Sequence, residues 1–150
     1  MRDTVGGTWL FGLIITFMLI FVGYLTLMIN YSTVFKNKNE VVHMIERYEG
    51  MSADTMTLIN NYLRNSGYSS KGRCPMEDGW MGIEELSSSA TAVENSNNAY
   101  YCYKKTEAGE AGDDSAYYDV RLFLHFDIPV LGQLGSFDIK GQTIKIKYAK

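Results

Sequence analysis

Between Thr4 and Phe35 the chain carries no charged residue. A helix buried in a soluble core rarely runs so far without one charge, so this absence excludes an ordinary globular start. Proline is scarce too: Pro75 and Pro129 are the only two, and nothing from Tyr31 to Glu49 is Pro or Gly. Cysteine is limited to Cys74 and Cys102, and histidine to His43 and His125. Two Cys and two His at these distances have no zinc-ligand spacing. The chain also lacks a Gly-rich phosphate loop, a G-x-S-x-G turn and an H-E-x-x-H helix, the arrangements that position common catalytic groups. We therefore expect no enzyme, no cofactor and no metal. The net charge of −3 comes from interspersed acids and bases, which gives no basic footprint for nucleic acid.

What the first part of the chain does have is a long apolar run. Trp9–Ile29 reads WLFGLIITFMLIFVGYLTLMI. As a helix it spans about 31 Å, against about 30 Å for a bilayer's hydrocarbon core. A cleaved secretory signal is the nearest rival. Its apolar core is usually shorter, and it ends in a small-residue cleavage site that is missing here. We read an uncleaved signal anchor, with membrane lipid as its first partner. Arg2 precedes the span and Lys36 and Lys38 follow it, so the positive-inside count is nearly balanced. The cysteines argue for orientation: an even pair in a small domain beyond a span is usually a disulfide in an oxidising compartment. The expected topology is N-terminus inside and C-terminal domain extracytoplasmic. The alternative is two reduced thiols in the cytoplasm.

We divide the chain into 1–7, a leader or cytoplasmic tail; 8–30, a transmembrane helix; 31–66, an amphipathic helical region; 67–99, irregular; and 100–150, an antiparallel β domain. Gly50 is the first helix stop after the span, and Ser52 then caps a second helix over Ala53–Ser66, with Asp54 in its first turn. Residues 68–99, rich in Ser, Asn and Gly, read as loop with one short helix near Ile83–Leu86. Strands are expected at Ala99–Lys105, Ala116–Asp127 and Phe137–Tyr148. In the second, Tyr118, Val120, Leu122, Leu124 and Phe126 share one face, with Phe123 the exception. TEAGEAGDDS reads as a hairpin loop, Pro129 as a strand end and VLGQLGS as a turn. In the last strand the apolar parity switches at Gly141, where we expect a bulge. The fold class is α+β: a long N-terminal helix, a short second helix, then a three-stranded antiparallel sheet.

Within the span the small and polar residues are not scattered. At about 100° per residue, Thr8, Gly12, Thr16, Gly23, Thr26 and Asn30 fall within an arc of about 80°. Small residues let helix backbones approach in lipid, and Thr or Asn can hydrogen-bond across the contact. If the helix is continuous, Val34, Val41, Met44, Ile45 and Tyr48 prolong the stripe into water. Lys36, Glu40, His43, Glu46 and Arg47 point elsewhere. The aqueous half can be covered by the chain's own domain. The membrane half has no other segment of this chain to meet.

Other candidates read as structural. His43 lies on a solvated helix face, and His125 on the polar side of a strand near Asp119 and Asp127. The acids Glu107, Glu110, Asp113 and Asp114 lack the alternating spacing of a calcium loop. Lys140, Lys145, Lys147 and Lys150 make a basic edge of the kind that guards an exposed strand. Tyr100, Tyr101, Tyr103, Tyr117 and Tyr118 suit sheet packing.

An apolar helix extended by an amphipathic half, followed by a disulfide-bearing antiparallel sheet, resembles a type IV pilin-like subunit. The ending DIPVLGQLGSFDIKGQTIKIKY resembles the strand, IP-x-x-G and strand ending of tight-adherence (Tad, TadE-like) pseudopilins. The resemblance implies that the helix packs against others in a filament core or assembly complex. Partners would then be other pilin-like subunits, assembly-machine membrane proteins or a second copy of the chain. It also implies processing at Gly7, with Thr8 as the first mature residue. Here the fifth mature position is Gly12, where that family has Glu, so an unprocessed, membrane-resident accessory role stays open. A membrane-tethered binding or adhesion module, working through the sheet and the Trp80 loop, is the alternative function.

Overall fold

A computed structural model describes residues 2–107, 115–128 and 132–147, with the side chains of 7–107, 115–125 and 137–147. The first helix, α1, runs without a break over Arg2–Arg47. It ends because Glu49 and Gly50 take positive φ (54° and 134°), and the Gly50 N–H returns to the Ile45 carbonyl at 2.9 Å. The second helix, α2, covers Ala53–Asn65, and the Ser52 hydroxyl accepts the Thr55 N–H at its start. It stops at Gly67 (φ 72°), where the Tyr68 N–H bonds to the Leu63 carbonyl, a closure that suits a glycine in the left-handed region.

The chain then builds β1 (Trp80–Ile83), β2 (Ala92–Glu94), β3 (Tyr101–Glu107), β4 (Ser115–Ile128), β5 (Gly132–Gln142) and β6 (Ile146–Lys147). All pairings are antiparallel, in the order β2-β1-β3-β4-β5, with β6 also on β4. The sheet thus has six strands where the sequence pattern indicated three. Ile83 ends a strand and does not begin a helix. WMGI and AVE are too short to show a period of two, and only pairing with β3 makes them strands. The VLGQLGS segment, expected as a turn, supplies the start of β5 from Gly132 onward. Most of the acidic hairpin loop and Pro129 lie outside the described residues.

The parity switch in the last strand has a specific cause. Asp119 pairs with Gln142 and Ala116 with Ile146, so three steps of β4 are matched by four of its partner. The extra residue sits in 143–145, not at Gly141. Thr143 spans the gap: its N–H donates to the Tyr118 carbonyl, and its hydroxyl accepts the Tyr118 N–H, both at 2.9 Å. Gly141 has a different reason. A Cβ there would stand 2.7 Å from Lys38 Cδ and 3.1 Å from Val42 Cγ2, so a side chain at this position would push the Lys38 stem aside and crowd Val42 where α1 crosses β5. A register shift also falls between His125 and Asp127.

One sheet face packs on both helices. Val34, Val41 and Ile45 of α1 and Ile59 and Leu63 of α2 join Ile83, Tyr101, Val120, Leu122 and Ile139 in one buried cluster, each fully buried Leu or Ile contributing about 1.5–3 kcal/mol. Tyr118, Val120, Leu122 and Leu124 all face it, as the alternation indicated. Tyr48, at the turn after α1, is exposed instead. The opposite face holds a smaller cluster of Cys74, Trp80, Ala99, Cys102 and Phe123, which explains why Phe123 breaks the alternation. Cys74 and Cys102 are joined there, with Cα atoms 5.7 Å apart. Gly82 lies beneath the pair: a Cβ would meet Cys74 Sγ at 2.7 Å and Ser96 Cβ at 2.6 Å.

β3 starts at Tyr101, opposite Leu122, so β4 runs past it with an open edge. Side chains close that edge. The Tyr68 hydroxyl accepts the Phe123 N–H and lies within bonding distance of its carbonyl, both at 2.8 Å. The His125 N–H donates to Ser70 Oγ at 3.4 Å.

Replacing Cys74 and Cys102 together with Ala should cost roughly 3–4 kcal/mol, the loop-closure value for their spacing, in urea unfolding of the full chain in detergent. An unchanged midpoint would mean that Tyr68 and Phe123 alone hold the segment. Burial pushes the Tyr68 and Tyr101 hydroxyls well above the usual tyrosine value, as it does to a lesser degree Tyr103. The folded state therefore keeps them neutral, while the unfolded chain ionises near pH 10. Stability should be full below about pH 10 and fall above it. A phenolate absorbance titration should show some of the eleven tyrosines ionising only on unfolding; a single uniform titration would contradict this.

Candidate packing face on the long helix

The buried seam of the aqueous half of α1 is Val34, Asn37, Val41 and Ile45. At about 100° per residue, Val34, Asn37 and Val41 project onto the arc that holds Thr8, Gly12, Thr16, Gly23, Thr26 and Asn30, and Ile45 lies about 20° beyond its edge. Because α1 is continuous, one helix face serves two surroundings. Its upper half is covered by β4, β5 and α2, and its lower half by nothing among the described residues. A Cβ built at Gly7, Gly12 or Gly23 meets no atom within 4 Å.

The lower half is a shallow groove rather than a flat stripe. Thr8, Gly12 and Thr16, with Trp9, Leu13, Phe17 and Ile20, line a depression of about 620 Å³. Gly23, Thr26 and Asn30 lie outside it, so the six stripe residues do not form one pocket. The hydroxyls in the span bond to their own helix: Thr16 to the Gly12 carbonyl at 2.9 Å and Thr26 to the Val22 carbonyl at 3.0 Å. Their protons need no partner in lipid, and each oxygen can still accept. The bond between Gly7 and Thr8 lies in the first turns of α1, with both residues exposed.

Outside the groove the span shows Leu10, Phe11, Met18 and Phe21 at 50 % exposure or more. Its most apolar stretch is long enough to cross a membrane and is not covered by the other described residues. One long apolar N-terminal helix of this kind is compatible with a single-pass membrane protein.

The remaining candidates find structural partners. His43 Nδ1 stands 3.4 Å from Glu46, and the other Glu46 oxygen accepts the Ile144 N–H at 2.9 Å, tying the sheet's last connection to α1. Asp119 accepts from Gln142. Trp80 is 4 % exposed, with the Arg121 guanidinium 4.7 Å from its ring centre. Among the described residues no group of three or more His, Cys, Asp or Glu could hold a metal. Sequence reasoning missed Asn37, although it lies on the seam's arc and that was signal enough. It also missed Tyr68, whose partner Phe123 is 55 positions away and leaves no local trace.

No family model, curated protein or solved structure matches this chain.

Since a Cβ at Gly12 would meet no described atom within 4 Å, Gly12→Leu should leave the fold of the isolated chain intact, within about 0.5 kcal/mol by thermal unfolding in detergent. A larger loss would mean that the groove is already occupied within the monomer.

Proposed function

We propose that this chain is a pilin-like or pseudopilin-like structural subunit of a cell-surface filament, or of the membrane complex that assembles one. It works by packing α1 side by side with the helix of a neighbouring subunit. The supporting observation is the shared arc: the face that the domain covers above is the face left open, small and grooved below. A second helix laid along Thr8, Gly12 and Thr16 would run up beneath its neighbour's β domain, so helix packing and domain packing would form one contact. Close backbone approach over Gly and Thr is the main source of helix association in lipid, where the hydrophobic effect between helices is lost.

In this reading the short N-terminal tail is cytoplasmic and the β domain is extracytoplasmic, where Cys74 and Cys102 stay oxidised. The adhesion-module alternative would have to act through the sheet and the exposed residues before Trp80, because the Trp80 ring itself is buried beside Arg121.

Gly12→Leu combined with Gly23→Leu should abolish co-purification of the full-length protein with its neighbours from membranes, while Phe21→Leu on the far side should not. Undiminished association of the double variant would refute the packing role. Intact mass of the mature chain shows whether the bond after Gly7 is cut, and so separates a processed filament subunit from a resident accessory.

A further inference from the structure

A polar cleft of about 480 Å³ opens where α1 leaves its apolar segment, a volume in the range of small-molecule sites. Asn30, Thr33 and Asn37 of α1 form one wall; Ser70 and Lys71, after α2, and His125 of β4 form the other. We propose that this cleft holds the phosphate-bearing headgroup of a phospholipid from the leaflet on the domain's side. The proposal rests on the membrane reading of α1 given above.

Depth is the first argument. Trp9–Ile29 matches the hydrocarbon thickness, so Asn30 stands at its outer boundary. The headgroup layer adds about 5–7 Å on each side. The rise from Asn30 to Val34 is about 6 Å, so this helix wall crosses that layer. Aromatic residues mark the same level independently. Tyr31 and Phe35 stack at 6.2 Å with Lys38 over the Phe35 ring, an arrangement typical of the interfacial belt.

Lining chemistry is the second. None of the twelve lining residues is Asp or Glu, in a chain whose acids outnumber its bases. The Lys71 ammonium donates to the Glu84 carbonyl at 3.1 Å and stands 4.4 Å from the Tyr100 ring centre. Among the described residues no carboxylate pairs with it, so its charge stays available to an anion. Asn37 is 3 % exposed, and its amide nitrogen has no partner among the described residues.

Stiffness is the third. Tyr68 and Ser70 are pinned to β4 through Phe123 and His125, so the outer wall is set before a ligand arrives, which lowers the ordering cost of binding. Phosphate would meet Lys71 and the amide and hydroxyl donors, while the acyl chains run down beside α1. Leaving the membrane would then require giving up this lipid.

The test uses the full chain, by vesicle flotation and by native mass spectrometry in mild detergent with added phosphatidylglycerol. Diacylglycerol supplies the tails without phosphate, and glycerol 3-phosphate the phosphate without tails. One retained phosphatidylglycerol per chain is expected, with neither control retained comparably. Thr33→Trp, an exposed helix position that would fill the cleft, should cut retention by roughly tenfold or more with the disulfide and flotation unchanged. Lys71→Gln should weaken retention less. Equal retention of diacylglycerol, equal binding of glycerol 3-phosphate, or full retention by Thr33→Trp would each overturn the proposal. A wild-type chain that floats without retaining lipid defeats the cleft alone; one that does not float defeats the membrane reading beneath it.

Discussion

Val41 and Ile45 are fully buried where α1 meets the sheet, and the arrangement of every other part follows from that contact. It sets which side of the long helix carries the domain and which side is left for anything else. It also accounts for Gly141, since α1 comes so near β5 that a Cβ there would crowd the Lys38 and Val42 side chains. Glu46 adds a polar tie at the same place by accepting the Ile144 N–H. The helix is therefore built into the domain's core and is more than a leash.

The other sheet face solves a different problem. A small sheet with one covered face would leave β4 open along its upper edge and Phe123 in water. The segment after α2 folds back over both. Tyr68 supplies hydrogen bonds that a strand would have supplied, and the disulfide joins Cys74 to β3 beside Phe123. A burial this modest is the situation in which small domains use covalent staples.

Seen from the membrane, these two devices meet at the base of the domain. The edge-closing segment and the emerging helix leave a polar cleft between them, at the depth where the proposed membrane placement would put headgroups. Just below it, the same helix face turns from a sheet-covered seam into an open groove of Gly and Thr. The two proposals thus concern neighbouring levels of one surface: lipid at the headgroup layer, and a neighbouring helix within the hydrocarbon. Both follow from the helix being unbroken from Arg2 to Arg47.

The local patterns that sequence alone carries were enough for the long uncharged helix, the Ser52-capped second helix, the alternation of β4 and the α+β class, because each depends on neighbours within a few residues. The stripe of Thr8, Gly12, Thr16, Gly23, Thr26 and Asn30 was also legible, since helical periodicity is a local property. Tertiary structure alone decided the rest. Trp80–Ile83 and Ala92–Glu94 are strands only because β3 offers them partners, whereas their own residues favoured a helix or a loop. The extra residue at 143–145 was visible as a parity switch but was placed at Gly141, because a glycine needed for close helix approach looks the same in sequence as one needed for a bulge. The burial of Trp80, the edge closure by Tyr68 and the cleft beside Asn37 join residues tens of positions apart, and contacts at that distance leave no periodic mark in the chain.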